Sequence, residues 1–349
     1  MRKMQRKIKK QKRMKIIISL MISMALITSL VSCGGNSEDK SSEDKESVNQ
    51  LKKVTLILDY VPNTNHTGFY VAKDKGYFEE QGLDVEIIEP GDNSVTTLLA
   101  AGKGDFGISF QEDVTYALTM DDPMPIKTIA TIIQHNTSGF ASVKDKNITR
   151  PKDFEGKTYA GWGSPSEESV IEAVMKADGG DFSKTKITVS DGSGYELLKD
   201  KVDYMWFFWA WDGVAAKRSG MDLNYFEVKD FDERLDYYTP VIIAPNEKIE
   251  NDPQTVKKFL KASKMGYEYC IANPDESAGI LHKNADTYDL EMLKESQRYL
   301  ADKYIDDAEY WGVMKDEVWD NYTEFMVENK LIKKEIAAKD CYTNEFLSK

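Results

Sequence analysis

The stretch VTLILDYVPNTNHTGFYVAKDKGYFEEQGLDVEII, Val54 to Ile88, decides the fold. Val54 to Leu58 is an apolar run of strand length, and Leu83 to Ile88 is a second. Between them, His66 to Gln81 carries Phe69, Tyr70, Ala72, Tyr77 and Phe78 for packing as a helix, with Gly82 as its stop. The unit repeats. Ser94 to Ala101 reads as a helix, and Phe106 to Ser109 as a strand after the turn Gly102-Lys103-Gly104-Asp105. Another helix starts at Gln111, and Ile126 to Ile133 resumes strand character. A second series starts near Asn147, with strands at Thr158 to Gly161, Lys186 to Val189 and Val202 to Phe208, and a helix at Pro165 to Ala177. A helical stretch begins near Asp212, and Tyr237 to Ala244 is again strand-like. Helical periods then fill 253–272, 274–283, 289–302 and 315–329. The pattern predicts an α/β protein of two lobes joined by crossing strands, with the loops after the strands facing a cleft.

The chain before this region has a different chemistry. Nine Lys and Arg residues precede an apolar run from Ile16 to Val31, which is short for a membrane span, and Leu30-Val31-Ser32-Cys33-Gly34 follows. That sequence resembles the lipobox of bacterial lipoproteins, which implies cleavage after Ser32, acylation of Cys33 and export from the cytoplasm. Loss of residues 1–32 removes nine bases and no acid, taking the net charge from −13 to −22. Such a chain is expected to avoid nucleic acid and anionic lipid surfaces. Gly34 to Gln50 has no apolar residue beyond Val48 and reads as a flexible tether. Cys270 falls in a helical apolar pattern and is expected as a buried thiol, although pairing with Cys341 is open. No Cys or His cluster has metal-ligand spacing, and no cofactor is expected.

Three loops at strand ends carry the functional chemistry. Asp59 to Gly68 packs an acid, Tyr60, the amides of Asn63 and Asn65, and His66 into one turn, either to hold a ligand or as ordinary turn and cap residues. Gly161-Trp162-Gly163-Ser164-Pro165-Ser166-Glu167 is a complete helix start, with Ser164 as N-cap and Glu167 closing a capping box. Its amides can bind an anion, but Glu167 and Glu168 already place negative charge there. The densest signal is Trp206-Phe207-Phe208-Trp209-Ala210-Trp211-Asp212-Gly213. Part of it is expected in the core. An aromatic slot beside one carboxylate suits a flat, nitrogen-rich heterocycle, whereas a sulfonate or nitrate calls for basic groups or several amides.

The blocks LDYVPNTNHTG, FYVAKDKGYFEEQGLDVEI, LLAAGKGDFGISFQEDV, IIQHN, GSPSEE, WAWDGV and FLKASKMGYEYCIANPDESAGIL resemble the ABC-transporter solute-binding proteins of the thiamine-pyrimidine-precursor group. The resemblance covers nearly all of the chain after residue 52. It implies a type II periplasmic-binding-protein fold whose hinged cleft delivers a formylated aminopyrimidine, or a relative, to a membrane permease. Carried over, it places Tyr60, Asn63 and His66 in the first-lobe pocket loop and Gln111 and Asp113 at the end of the third strand. Trp162, Gly163, Ser164 and Pro165 line the other lobe, Trp209 is an aromatic wall, and Asp212 pairs with the amino group and ring nitrogen. The chain departs from the family pattern in having Asp212 where Glu is expected.

The resulting organisation is a signal peptide over 1–32, lipidated Cys33 and tether over 33–50, lobe 1 over 51–145, lobe 2 over 146–240, and a return to lobe 1 with C-terminal helices over 241–349. The expected protein is a monomeric, membrane-anchored receptor facing outside the cytoplasm, and not an enzyme. The wider superfamily also contains riboflavin, alkanesulfonate and nitrate binders, and the thiamine pyrimidine synthases share the fold. Those enzymes carry a cysteine-rich iron motif and a pyridoxal-phosphate lysine, neither of which is matched here.

Overall fold

In the computed structural model the described residues are 50–190, 194–285 and 288–349. The expected signal peptide, Cys33 and all of the tether except Gln50 lie outside them.

Among the described residues ten strands form three sheets. β1 (Lys52–Ile57), β2 (Leu83–Ile88), β3 (Phe106–Ser109), β4 (Ile126–Thr131) and β10 (Val241–Pro245) make one sheet in the order β2-β1-β3-β10-β4. β1 is parallel to β2 and β3, and β10 runs antiparallel between β3 and β4. Both faces are covered, so after the exposed Lys52 and Lys53 the strand buries side chains on either side. Val54, Leu56 and Leu58 join one core with Phe69, Phe106 and Phe259, while Ile57 joins Val95, Leu99 and Val114 on the other face. Phe106 and Phe259 stack at 4.0 Å. The helices Thr67–Asp74 and Pro253–Ala272 cross so closely that a Cβ at Gly266 would lie 2.0 Å from the Gly68 carbonyl oxygen.

The expected helix over residues 66–81 is divided. A 3₁₀ turn, Thr64–His66, leads into Thr67–Asp74, and Gly76 at φ 79° breaks the chain before Tyr77–Glu80.

The second lobe contains β5 (Ser138–Val143), β8 (Met205–Phe208) and β9 (Leu223–Glu227), antiparallel in the order β8-β5-β9. β6 (Thr158–Gly161) and β7 (Lys186–Val189) pair in parallel, and a bridge from Tyr159 to Tyr204 joins the two groups. Its core centres on Phe140, Phe154, Tyr159 and Tyr204, with Phe154 stacked on Tyr204 at 3.7 Å. The expected strand over 202–208 is shorter, beginning at Met205.

Two boundaries differ from expectation. β5 falls inside the span 51–145 yet pairs only with second-lobe strands, so the first crossing occupies residues 132–137. The helix Asp316–Glu328, expected with lobe 1, serves both lobes: Trp319 packs with the first sheet, Tyr322, Phe325 and Met326 with the second. A helix presents different residues to different sides, and this one spans the junction.

The crossings are tied to each other. His135 Nδ1 lies 2.6 Å from Asp236 Oδ2, Asn136 donates its backbone N–H to Asp236 Oδ1 at 2.8 Å, and the Asn136 amide donates to the Leu235 carbonyl at 2.8 Å. Cys270 and Cys341 are buried free thiols, as the helical pattern at Cys270 indicated.

Candidate ligand-binding cleft

Between the lobes lies a cavity of about 540 Å³, lined by loops that follow strands of both sheets. The first lobe contributes Asp59, Tyr60 and Asn63 after β1 and Phe110 after β3. The second contributes Gly161 and Trp162 after β6 and Trp206, Phe208, Trp211 and Asp212 around the end of β8. Thr137 and Thr239 come from the crossings. Strand direction explains the placement, because parallel strands deliver their carboxyl ends to one edge. Another hollow, of about 440 Å³, is lined by Asp105, Lys248 and Asp252. Lys248 reaches both acids at 2.8 Å, so those charges satisfy each other, which leaves the aromatic cleft as the candidate site.

The first-lobe loop is internally braced. Asn63 caps the 3₁₀ turn, accepting the N–H of Asn65 at 2.9 Å, and its own backbone N–H donates to His66 Nδ1 at 3.2 Å. Because Nδ1 accepts, the ring proton sits on Nε2 and is donated to Asp59 Oδ1 at 2.5 Å. His66 is completely buried. It stands behind Asp59 and does not line the cavity, contrary to the expectation that it shares the pocket. Asp59, to which the family resemblance assigns no role, lines the cavity instead. Its signal was the acid immediately before Tyr60 at the strand end.

Gln111 is also corrected. Its side chain donates to the Val318 carbonyl at 3.0 Å and accepts the N–H of Tyr238 at 2.9 Å, tying the helix Gln111–Thr119 to the second crossing and to the helix Asp316–Glu328. Both ends are satisfied and the side chain is buried. Asp113 does not line the cavity. It keeps solvent contact inside a depression of the protein, and its carboxyl is raised, first by desolvation and then by the charge of Asp59.

In the second lobe, Trp162 lines the cavity and is 54% exposed, at 5.3 Å from the ring of Trp206. Gly163, Ser164 and Pro165 stand outside the lining. Their role is to cap the helix Pro165–Ala177, and the amides of this loop already hold an anion. Glu167 Oε1 accepts the Trp162 N–H at 3.0 Å and the Tyr159 hydroxyl at 2.5 Å. Its Oε2 accepts the N–H groups of Gly163 at 2.6 Å and Ser164 at 2.7 Å. Gly161 has no substitute here, since a Cβ would meet Glu167 Oε1 at 1.6 Å.

Asp212 sits in a π turn, Trp209–Gly213, that re-aims the chain after β8. Its Oδ2 accepts the Phe208 N–H at 3.1 Å. Burial pushes its carboxyl up to about 6, and backbone donors offset only part of that. Among the described residues no Lys, Arg or His lines the cavity. Trp209 is not the wall: its ring lies 4.4 Å from Tyr225 and fills the space where a Cβ of Gly213 would be. Trp162, expected from the sequence, lines the cavity together with Trp206 and Trp211, and the π turn that begins at Trp209 turns that ring away from it.

Two α/β lobes, two crossings and a cleft at the strand ends define the periplasmic-binding fold. The sulfonate-binding protein SsuA from Escherichia coli is similar in structure, with a TM-score of 0.66 and 12% identity over 84% of this chain and 92% of its own. The family model described as NMT1/THI5 like matches residues 63–277, and the chain belongs to that family. In sequence it is 26% identical to a formylaminopyrimidine-binding protein of Halalkalibacterium halodurans, over 94% of this chain and 98% of the relative. It is 25% identical to the riboflavin-binding protein RibY of Chloroflexus aurantiacus, over 85% and 86%. It is also 25% identical to the 4-amino-5-hydroxymethyl-2-methylpyrimidine phosphate synthase THI11 of Saccharomyces cerevisiae, over 85% and 88%.

Proposed function

We propose that this chain is the solute-binding component of an ABC importer, anchored outside the cytoplasm by an acylated Cys33, and that it delivers an aminopyrimidine of the formylaminopyrimidine kind to a membrane permease. The observation that carries the reading is Asp212, a part-buried carboxylate among tryptophans in a cavity with no cationic side chain among its described lining residues. Such a group favours a ligand that brings N–H donors, and flat rings suit the indole walls. Tyr60, Asn63, Trp162 and Asp212 are the binding residues carried forward from the sequence, joined by Asp59, Trp206 and Trp211.

The filled amide nest argues against an alkanesulfonate or nitrate, because Glu167 occupies the donors such an anion would use. A receptor rather than an enzyme is supported by His66, whose nitrogens are both engaged away from the cavity. Among the described residues no group of three or more His, Cys, Asp or Glu is placed to hold a metal ion. Ligand entry is a closure in which the crossings act as the hinge and the two loop sets meet across the ligand. The test is mass spectrometry of the small molecule released from protein purified from its own cell. An aminopyrimidine supports the assignment, and a flavin or sulfonate overturns it.

A further inference from the structure

Three elements meet beside the cleft at one carboxylate. Glu112 lies in the first turn of the first-lobe helix Gln111–Thr119 and is part-buried. Its Oε1 accepts the hydroxyl of Ser166 at 2.9 Å, and its Oε2 accepts the hydroxyl of Tyr322 at 2.7 Å. Ser166 is 1% exposed and opens the second-lobe helix whose preceding loop carries Trp162 into the cavity. Tyr322 is one of the buried residues by which the junction helix packs on the second lobe.

We propose that Glu112 and Ser166 form an interlobe latch that sets the closed geometry of the cleft, and hence its affinity, without touching the ligand. Both are positioning residues. Neither lines the cavity. Separating the lobes would withdraw Ser166 from Glu112 and admit water to the carboxylate, whereas closure strips that water and leaves two hydroxyl donors.

The surroundings give the latch a sign with pH. The groups that face Glu112 are Asp113 and Tyr116 on its own helix, Glu167 beside Ser166, Tyr322 on the junction helix and Tyr237 from the second crossing. None is cationic, and the Tyr116 hydroxyl is buried without a partner. Desolvation is the largest influence on Glu112 and raises it, Asp113 and Glu167 push in the same direction, and the two hydroxyls offset part. A carboxyl raised in the closed form relative to the open, hydrated form takes up a proton on closing. Closure is therefore favoured as pH falls and loosened as it rises.

The inference rests on the two-lobed receptor reading but not on the identity of the ligand. Spin labels at Lys103→Cys and Lys186→Cys, exposed positions on opposite lobes, report the interlobe distance in the mature chain. Ser166→Ala is expected to shift the ligand-free distribution toward longer distances and to weaken formylaminopyrimidine binding by about tenfold, through a smaller closed fraction. Glu112→Gln keeps both hydroxyl contacts in reach and removes the charge. It is expected to keep the short distance and to abolish its change between acid and neutral pH. A Ser166→Ala protein with lowered thermal stability but an unchanged distance distribution overturns the latch. So does a Glu112→Gln protein with the wild-type pH response. If formylaminopyrimidine fails to bind the parent while the ligand-free distances respond as described, the ligand assignment falls and the latch stands.

Discussion

Replacing Asp212 by Asn separates binding from stability, and the structure sets the size of both effects. The carboxyl rises from an ordinary 3.8 to about 6 on folding, which corresponds to about 3 kcal/mol held against the folded state at neutral pH. Its folded value lies above its unfolded one. The penalty is therefore absent below 3.8, grows as pH rises toward 6, and is constant above. Asn keeps the shape and the contact with the Phe208 N–H through its carbonyl, but carries no charge. The variant should therefore unfold at higher temperature at neutral pH, by an amount approaching that 3 kcal/mol, and should lack the wild type's loss of stability between pH 3.8 and 6. In binding, the order reverses. A hydrogen bond to a charged group contributes about 1.5 to 3 kcal/mol, so formylaminopyrimidine should bind roughly ten- to a hundredfold more weakly. Calorimetric titration and thermal scans across pH measure both. Unchanged affinity together with unchanged stability would refute the proposal that Asp212 is a desolvated charge reserved for a ligand.

Other substitutions probe the frame around the site. His66→Leu should weaken ligand binding about tenfold, because Asp59 loses the N–H that orients it, and titration checks this against circular dichroism for folding. Gly266→Ala should cost about 1 to 3 kcal/mol in chemical denaturation, since the new methyl meets the Gly68 carbonyl oxygen at 2.0 Å and the helices must part. Gly161→Ala should be at least as harmful and should also weaken binding, because it displaces Glu167 and with it the loop carrying Trp162.

The strand-helix-strand unit from Val54 was legible because apolar runs, helical periods and glycine stops agree with one another there. The C-terminal helices were legible for the same reason, and the helix Pro253–Ala272 begins and ends where its pattern does. β5 and β9 were missed. β5, SGFASV, has small residues where its neighbours approach, and a Cβ at Gly139 would meet the Phe226 carbonyl oxygen at 2.1 Å, so tertiary packing rather than propensity defines that strand. At the site, Tyr60, Asn63, Trp162 and Asp212 could be named because loops after strands share an edge. His66 and Gln111 are polar residues turned inward to brace loops and crossings, and sequence alone does not distinguish a polar group facing a ligand from one facing the backbone. Trp209 was misplaced because a π turn begins at that residue and changes which side each ring faces.

We propose that the cleft, walled by tryptophans, holding Asp59 and Asp212 and with no cation among its described lining residues, recognises an aminopyrimidine. Equilibrium titration of the mature protein with formylaminopyrimidine, riboflavin and ethanesulfonate tests it most directly. Saturable binding of the pyrimidine is expected, with much weaker binding of the flavin and none of the sulfonate. Tight sulfonate binding, or a flavin preferred over the pyrimidine, would contradict it.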